Sequence, residues 1–428
     1  MAMSLDEVLT RLEILDSLEV FEPHWEESEG CFPGDLPFFL DPAQSTASRA
    51  FADLPPEVDA LLVEAAQCVR ENPALLHLAW HAYRLLFEHR DYPGHCIARW
   101  PSLEKSLPDR SGLFYLLIAL AVVPLTRKAH QARGVPEAVT RDTCRDIHEL
   151  IGYHRAKHGG AWGIYLRDLR WIRNYTSGAL YTLGRLEYMV RPFYGKVRVY
   201  RHRPTGQVLA LAEDGIRFDQ QGHARAGKSD EDLAGGWTSR FAAGDKWITG
   251  YPISPFGVAV PREVRLPAHD WSPALAPGDT VLDVHIAAGG GMTPERCADS
   301  MRKALEFFPR YFPDQPFVGF ACVSWILNPD IADFYSPRSN MALWQREVHL
   351  FPYPSDGRSG FLYVFGEEDI DVTTALRRTS LQRAMLDHLS AGRPLRAGGM
   401  FVLKEDFRFF GSGFYRSHWP PSALALEA

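Results

Sequence analysis

The chain has 428 residues, of which 46% are hydrophobic, 12% aromatic and 23% charged. This is globular composition, which excludes a largely disordered or fibrous chain, and the length favours two domains over one core. A formal net charge of -7 excludes the strong basic excess of a nucleic-acid protein.

The opening segment MAMSLDEVLTRLEIL has the acidic, amphipathic pattern of a helix and lacks the cationic start of a signal peptide. Residues 59–70 place Leu61, Leu62, Ala65 and Val69 at helical spacing. Pro73 is suited to opening a second helix, which continues through Leu75, Leu78, Trp80 and Leu85. A third helix is predicted from Gly112 to about Arg133, closed by Gly134 and Pro136, and a fourth over residues 140–158. The apolar run beginning at Leu113 holds about a dozen residues, too few for a bilayer span of about 20, so it reads as a buried helix.

Near Arg185 the texture changes to period-two alternation with turn signals. Strands are predicted over residues 185–190, 196–202, 208–212, 280–286, 317–327, 346–351, 361–365 and 400–403. Helical patterns interrupt them at residues 294–308 and 373–390, and residues 219–245 read as a polar loop. The fold class expected is α+β, with a helical domain over residues 1–180 and a mixed-sheet domain over residues 181–428. Six cysteines (Cys31, Cys68, Cys96, Cys144, Cys297 and Cys322) form no CxxC pair, as expected of a reduced, cytoplasmic protein.

The segment TVLDVHIAAGGGMTPERCADSM, starting at Thr280, carries the strongest chemical signal. It reads as strand, glycine turn and capped helix. Asp283 and His285 lie two apart, so a strand puts both on one face, where a carboxylate can orient an imidazole for acid/base work. Ile286, Ala287, Ala288, Gly289, Gly290, Gly291 and Thr293 then lead into a helix with Thr293 as N-cap and Pro294 in its first turn. Glycine backbone and orphan amides at a helix start are suited to an anion such as a diphosphate. The alternative is a tight strand-to-helix turn with no ligand, and Glu295 argues for it.

Cys322 is a buried thiol or, less simply, a nucleophile served by His285. Ser339 or Asn340 is a helix cap, and Tyr335 is either a surface phenol or a proton donor. The pairs His77/His81 and His154/His158 could each bind a metal at i,i+4 spacing, but they lack the Glu of HExxH and read as structural; no metal is expected. No Walker loop, GxSxG elbow or dinucleotide GxGxxG occurs.

Several stretches resemble a bacterial family with an N-acyltransferase N-terminal domain followed by a GNAT-like C-terminal domain. They are WIRNYTSGALYTLGRLEYM from Trp171, TPERCADSM and EFFPRYFP after His285, VSWILNPD from Val323, Ser339-Asn340, and RRTSLQRAML from Arg377. The resemblance implies acyl transfer from acyl-CoA or acetyl-CoA to an amine acceptor by direct attack, with an acyl-carrier protein as a possible alternative donor. It implies that residues 280–286 and 317–327 are neighbouring core strands that splay apart to admit the thioester. It places the CoA diphosphate at the AAGGG turn, a general base among His285, Asp283 and Glu187, and Tyr335 as donor to the thiolate. The Gln/Arg-x-x-Gly-x-Gly/Ala loop of GNAT enzymes is reduced here to bare glycines. That favours a competing reading, a non-catalytic GNAT-like module that binds a ligand or a protein. A third reading is a hydrolase or isomerase built on His285.

Overall fold

The computed structural model describes residues 3–226, 235–287, 289 and 291–422. It divides into two compact units: Met1–Leu183 with Ala287–Gly289, and Gly184–Ile286 with Gly290–Ala428.

The first unit is helical. Helix Val58–Glu71 buries Leu62, Ala65 and Val69 as periodicity predicts, and adds Val58 and Ala66, while Leu61 is only half-buried. Asn72 then accepts from the amides of Ala74 and Leu75, and Pro73 starts the helix Pro73–Phe87. This helix is buried almost all round, so it is the unit's central element. The apolar stretch predicted as one helix is two, Ser111–Leu120 and Val122–Ala132, parted at Ala121. Pro124 lacks the amide that would have continued the ladder there. Together they are long and apolar enough to cross a bilayer, but residues 113–123 are all buried among other helices of the unit, as in a core helix. Helix Glu137–Lys157 follows, and Tyr175 of helix Leu166–Thr176 ties to it by donating to Asp146 Oδ2 at 2.7 Å.

The paired helix histidines are structural. His77 Nδ1 meets Glu29 Oε1 at 2.7 Å, and His81 uses both ring nitrogens at 2.8 Å, on Ser28 Oγ and the Phe21 carbonyl. His154 Nδ1 meets the Ala161 carbonyl at 3.3 Å, and its ring stacks on His158.

The second unit is built on a mixed sheet whose strands lie in the order Leu186–Pro192, Thr280–His285, Gly319–Ser324, Gly398–Leu403 and His349–Pro352. Thr280–His285 runs antiparallel to the first and parallel to the third; the remaining pairs are antiparallel. A second, antiparallel sheet runs Val258–Ala259, Pro252–Ser254, Val208–Ala212, Val197–His202, Trp271–Leu275. One apolar cluster contains Val199, Ala210 and Ile253 from the second sheet and Val281, Ala321, Phe401 and Leu403 from the first, so the two sheets share a core. Helix Pro294–Tyr311 covers the other face of the main sheet. Its Ser300 Oγ bonds the Leu186 amide at 3.0 Å and the Tyr188 hydroxyl at 2.9 Å, and Phe308 packs near Tyr188. The architecture is therefore α+β, a helical region followed by a mixed-sheet domain with flanking helices.

Several expected elements differ. The FLYVF run, read as a strand, is the short helix Phe361–Phe365, bracketed by Gly360 at φ 95° and Gly366 at φ 78°. Left-handed glycines at both ends stop extension, and Phe361 joins Met385 and Leu395 in a small core that overrides the aromatic strand preference. The helix expected from residue 373 starts at Ser380, where Thr379 and Gln382 form a capping box. The 317–327 run ends as a strand at Ser324 and closes in a helical turn, Trp325–Leu327. Short strands between Trp247 and Leu275 carry too many Pro and Gly to be read from alternation. Part of the polar loop expected over residues 219–245 lies outside the described residues.

Buried imidazoles make both units acid-sensitive. Burial pushes His81 down to about 3 from the usual 6.5, and His349 on strand His349–Pro352 also to about 3. In the unfolded chain both take up a proton near 6.5, so the unfolded state binds more protons in the window from 6.5 down to 3, and stability falls as pH drops through it. Each group is expected to cost about 2 kcal/mol at pH 5 relative to pH 7. A melting temperature unchanged between those two pH values would contradict this.

Candidate functional site

The site is assembled where strand Thr280–His285 parts from its parallel neighbour. Those strands begin together, with Val318 donating to the Thr280 carbonyl at 3.0 Å. They pair at Leu282 with Phe320 and at Asp283 with Ala321, and there the pairing stops. Beyond that point Val284 and His285 pair only with Leu186–Pro192, while Cys322, Val323 and Ser324 pair only with Gly398–Leu403. The two strands fork, as a splay expected of core strands in the implied fold.

His285 stands just past the fork. Its Nε2 lies 3.1 Å from Asp283 Oδ2; the imidazole is about a quarter exposed and the carboxylate almost buried. Period-two alternation places them side by side, and antiparallel register sets Glu187 opposite His285 on the same face. Glu187 is itself buried, 1% exposed. The three acid/base candidates on neighbouring strands are thus brought together.

Tyr194, which sequence reasoning missed, donates from its hydroxyl to Asp283 Oδ1 at 3.4 Å. Burial, then the Asp283 charge, raises its pKa, so the phenol keeps its proton. It lies in the turn after Leu186–Pro192, where no local pattern marks it. Tyr335 is placed differently: its hydroxyl shares a hydrogen bond with Ser380 Oγ at 3.2 Å. Cys322 alternates to the opposite strand face from Ala321, the partner of Asp283. Burial, reinforced by the Asp283 charge, pushes its thiol well up, which does not suit a thiolate nucleophile.

The glycine turn follows directly. Gly289 and Gly291 adopt φ of 80° and 60°, which residues with a Cβ rarely accept. Ala288 and Gly290 lie outside the described residues. Thr293 caps helix Pro294–Tyr311, accepting from the Arg296 amide. Two polar groups at this turn were not anticipated. Arg185 Nε donates to the Gly291 carbonyl at 3.0 Å, and the Asn340 side-chain amide lies 3.5 Å from where a Cβ on Gly291 would sit. Asn340 is free for this because Ser339 supplies the cap of helix Asn340–Gln345, accepting from the Ala342 amide at 3.2 Å. The arrangement offers an imidazole oriented by a carboxylate, a fork between two parallel strands, and a turn with a cation beside it.

Two family models match in sequence: the N-acyltransferase N-terminal domain over residues 46–178 and the GNAT-like C-terminal domain over residues 180–401. No curated protein matches. Among solved structures, an acyltransferase in complex with decanoyl-CoA and teicoplanin is 20% identical, with a TM-score of 0.63. A variant acyltransferase in complex with octanoyl-CoA gives the same identity and score. A third, an acyltransferase with CoA and a teicoplanin derivative, is 21% identical with a TM-score of 0.62. Each comparison covers 94% of this chain and 99% of the other, and they support the fold along the whole length.

Proposed function

Because the chain belongs to the GNAT-like C-terminal domain family, and carries the N-acyltransferase N-terminal domain ahead of it, we propose that it transfers an acyl group from acyl-CoA to an amine on a small molecule. The observation that carries this reading is the fork after Asp283 and Ala321. A thioester arm admitted between the parted strands would lie beside His285, where backbone amide donors can polarise its carbonyl. His285, oriented by Asp283, accepts the proton of the attacking amine. The amine nitrogen bonds to the thioester carbon, the tetrahedral intermediate collapses, the C–S bond breaks, and the thiolate leaves with a proton. The imidazolium of His285, having taken the amine proton, can return it to the thiolate, which restores the neutral ring. Gly291, with Arg185 and Asn340 beside it, supports diphosphate binding at the turn.

The relatives crystallised with octanoyl-CoA and decanoyl-CoA point to a medium-length acyl chain, and those with teicoplanin to a bulky small-molecule acceptor. Titration calorimetry with octanoyl-CoA is expected to show one site, with a matching rise in melting temperature. If neither octanoyl-CoA nor free CoA gives heat or a shift, the transferase reading fails. The reduced glycine loop favours a second reading, a binding module without turnover. That reading gains if octanoyl-CoA binds but no free thiol is released with any amine offered.

A further inference from the structure

The helical unit holds a cluster of imidazoles and carboxylates far in sequence from the residues of the fork. His24 immediately precedes helix Trp25–Gly30 and is held at φ 62°, a left-handed conformation uncommon outside glycine. His89 lies just beyond helix Pro73–Phe87. The two rings stack, with centroids 3.9 Å apart and planes 13° from parallel. His24 Nδ1 is 3.6 Å from Glu27 Oε2, and His89 Nε2 is 3.9 Å from Glu27 Oε1. The ligand-capable atoms of the three residues all lie within 4.8 Å of one another.

These spacings are too long for hydrogen bonds. They are close to the roughly 3.3 Å that separates two ligands on a tetrahedral zinc with bonds of about 2.0–2.1 Å. His89 supplies an independent sign. It is 8% exposed, and its Nε2 has no hydrogen-bond partner, a costly state for a buried ring nitrogen. The surrounding groups are arranged as an outer shell. Asp91 Oδ2 stands 3.3 Å from His24 Nε2, as a carboxylate that orients a ligating imidazole would. Arg84 fixes Glu27 through its carbonyl at 2.7 Å and Oε1 at 3.0 Å, leaving Oε2 available. Arg84 also holds Glu88 at 2.7 Å, so this guanidinium is shared between Glu27 and Glu88.

We infer that His24, Glu27 and His89 form a binding site for a divalent transition-metal ion of the zinc class, which clamps the start of helix Trp25–Gly30 to the turn after helix Pro73–Phe87. Imidazole and carboxylate donors suit such an ion, with water completing its coordination. The role is structural and independent of acyl transfer.

Zinc ion titrated into chelator-treated full-length protein, against a chromophoric competitor, is expected to bind at one equivalent with Kd of ~1 µM or tighter. The melting temperature should rise by about 5 °C in excess zinc. His24→Gln and His89→Gln should each weaken binding by about 30-fold. Cys31→Ser, which removes the nearby exposed thiol, should change nothing. X-ray absorption on the zinc-loaded wild type should show a nitrogen and oxygen shell near 2.0–2.1 Å without sulfur near 2.3 Å. Absent one-equivalent binding, unchanged affinity in the two histidine variants, or a sulfur shell would each overturn the site. Should one variant fail to fold, the other variant and the wild-type spectrum decide.

Discussion

His285→Ala is expected to lower kcat/KM for acyl transfer by about 10²–10⁴-fold while octanoyl-CoA affinity stays close to that of the wild type. The physical reason is the division of labour at the fork. On the function proposed, the thioester arm is held by backbone at the fork and turn, which the substitution leaves in place. The imidazole acts only when the amine must lose a proton, so its removal is felt in turnover and not in ground-state binding. Asp283→Asn should give a smaller loss, because the Nε2 contact at 3.1 Å keeps an amide partner but loses the negative charge that stabilises the imidazolium. Steady-state kinetics with octanoyl-CoA, set beside calorimetry on the same variants, measure both quantities. Wild-type turnover in His285→Ala would remove this residue from the mechanism and shift attention to Glu187, its buried neighbour across the strands. Loss of turnover and affinity together would point to a structural role instead.

Phe308→Ala should destabilise the second unit by about 3–5 kcal/mol. Phe308 is fully buried on helix Pro294–Tyr311, and its ring sits among Phe312 at 5.5 Å, Phe307 at 5.3 Å, Tyr188 at 6.3 Å and Phe317 at 6.4 Å. Tyr188 lies on the strand that pairs with Thr280–His285, and Phe317 leads into the strand on its other side, so the ring seats the helix across both strands of the fork. Truncation leaves a cavity that these rings, fixed by the sheet, cannot collapse to fill. The midpoint of urea unfolding followed by near-UV circular dichroism checks this, with Phe308→Leu expected to cost less because more of the volume is kept. A loss below about 1 kcal/mol would mean that the helix is not anchored through this ring.

Several of the longer helices were legible because their information is local. Pro73 announces a start, and Leu62, Ala65 and Val69 repeat at the helical period. The same locality made Asp283 and His285 readable as neighbours, since strand alternation needs only the residue type and spacing. The helix Phe361–Phe365 defeated this reasoning: FLYVF has strand-forming side chains, and flanking glycines with a distant partner at Met385 decided otherwise. Three strands of the second sheet, Pro252–Ser254, Val258–Ala259 and Trp271–Leu275, were missed for a related reason, because strands as short as Pro252–Ser254 exist only through their partners.

By itself, then, the sequence determined where the backbone would coil or extend, and that an imidazole, a carboxylate and a glycine turn would follow one another along a single segment. Only the tertiary structure decided that the parallel pairing ends at Asp283, that Tyr194 and Glu187 join the dyad, and that His24 and His89 stack across 65 positions of chain. Short-range order follows from backbone sterics and periodic burial, which each few residues carry for themselves. Register between distant strands and the meeting of distant side chains depend on the packing free energy of the whole core, and no window of sequence contains it.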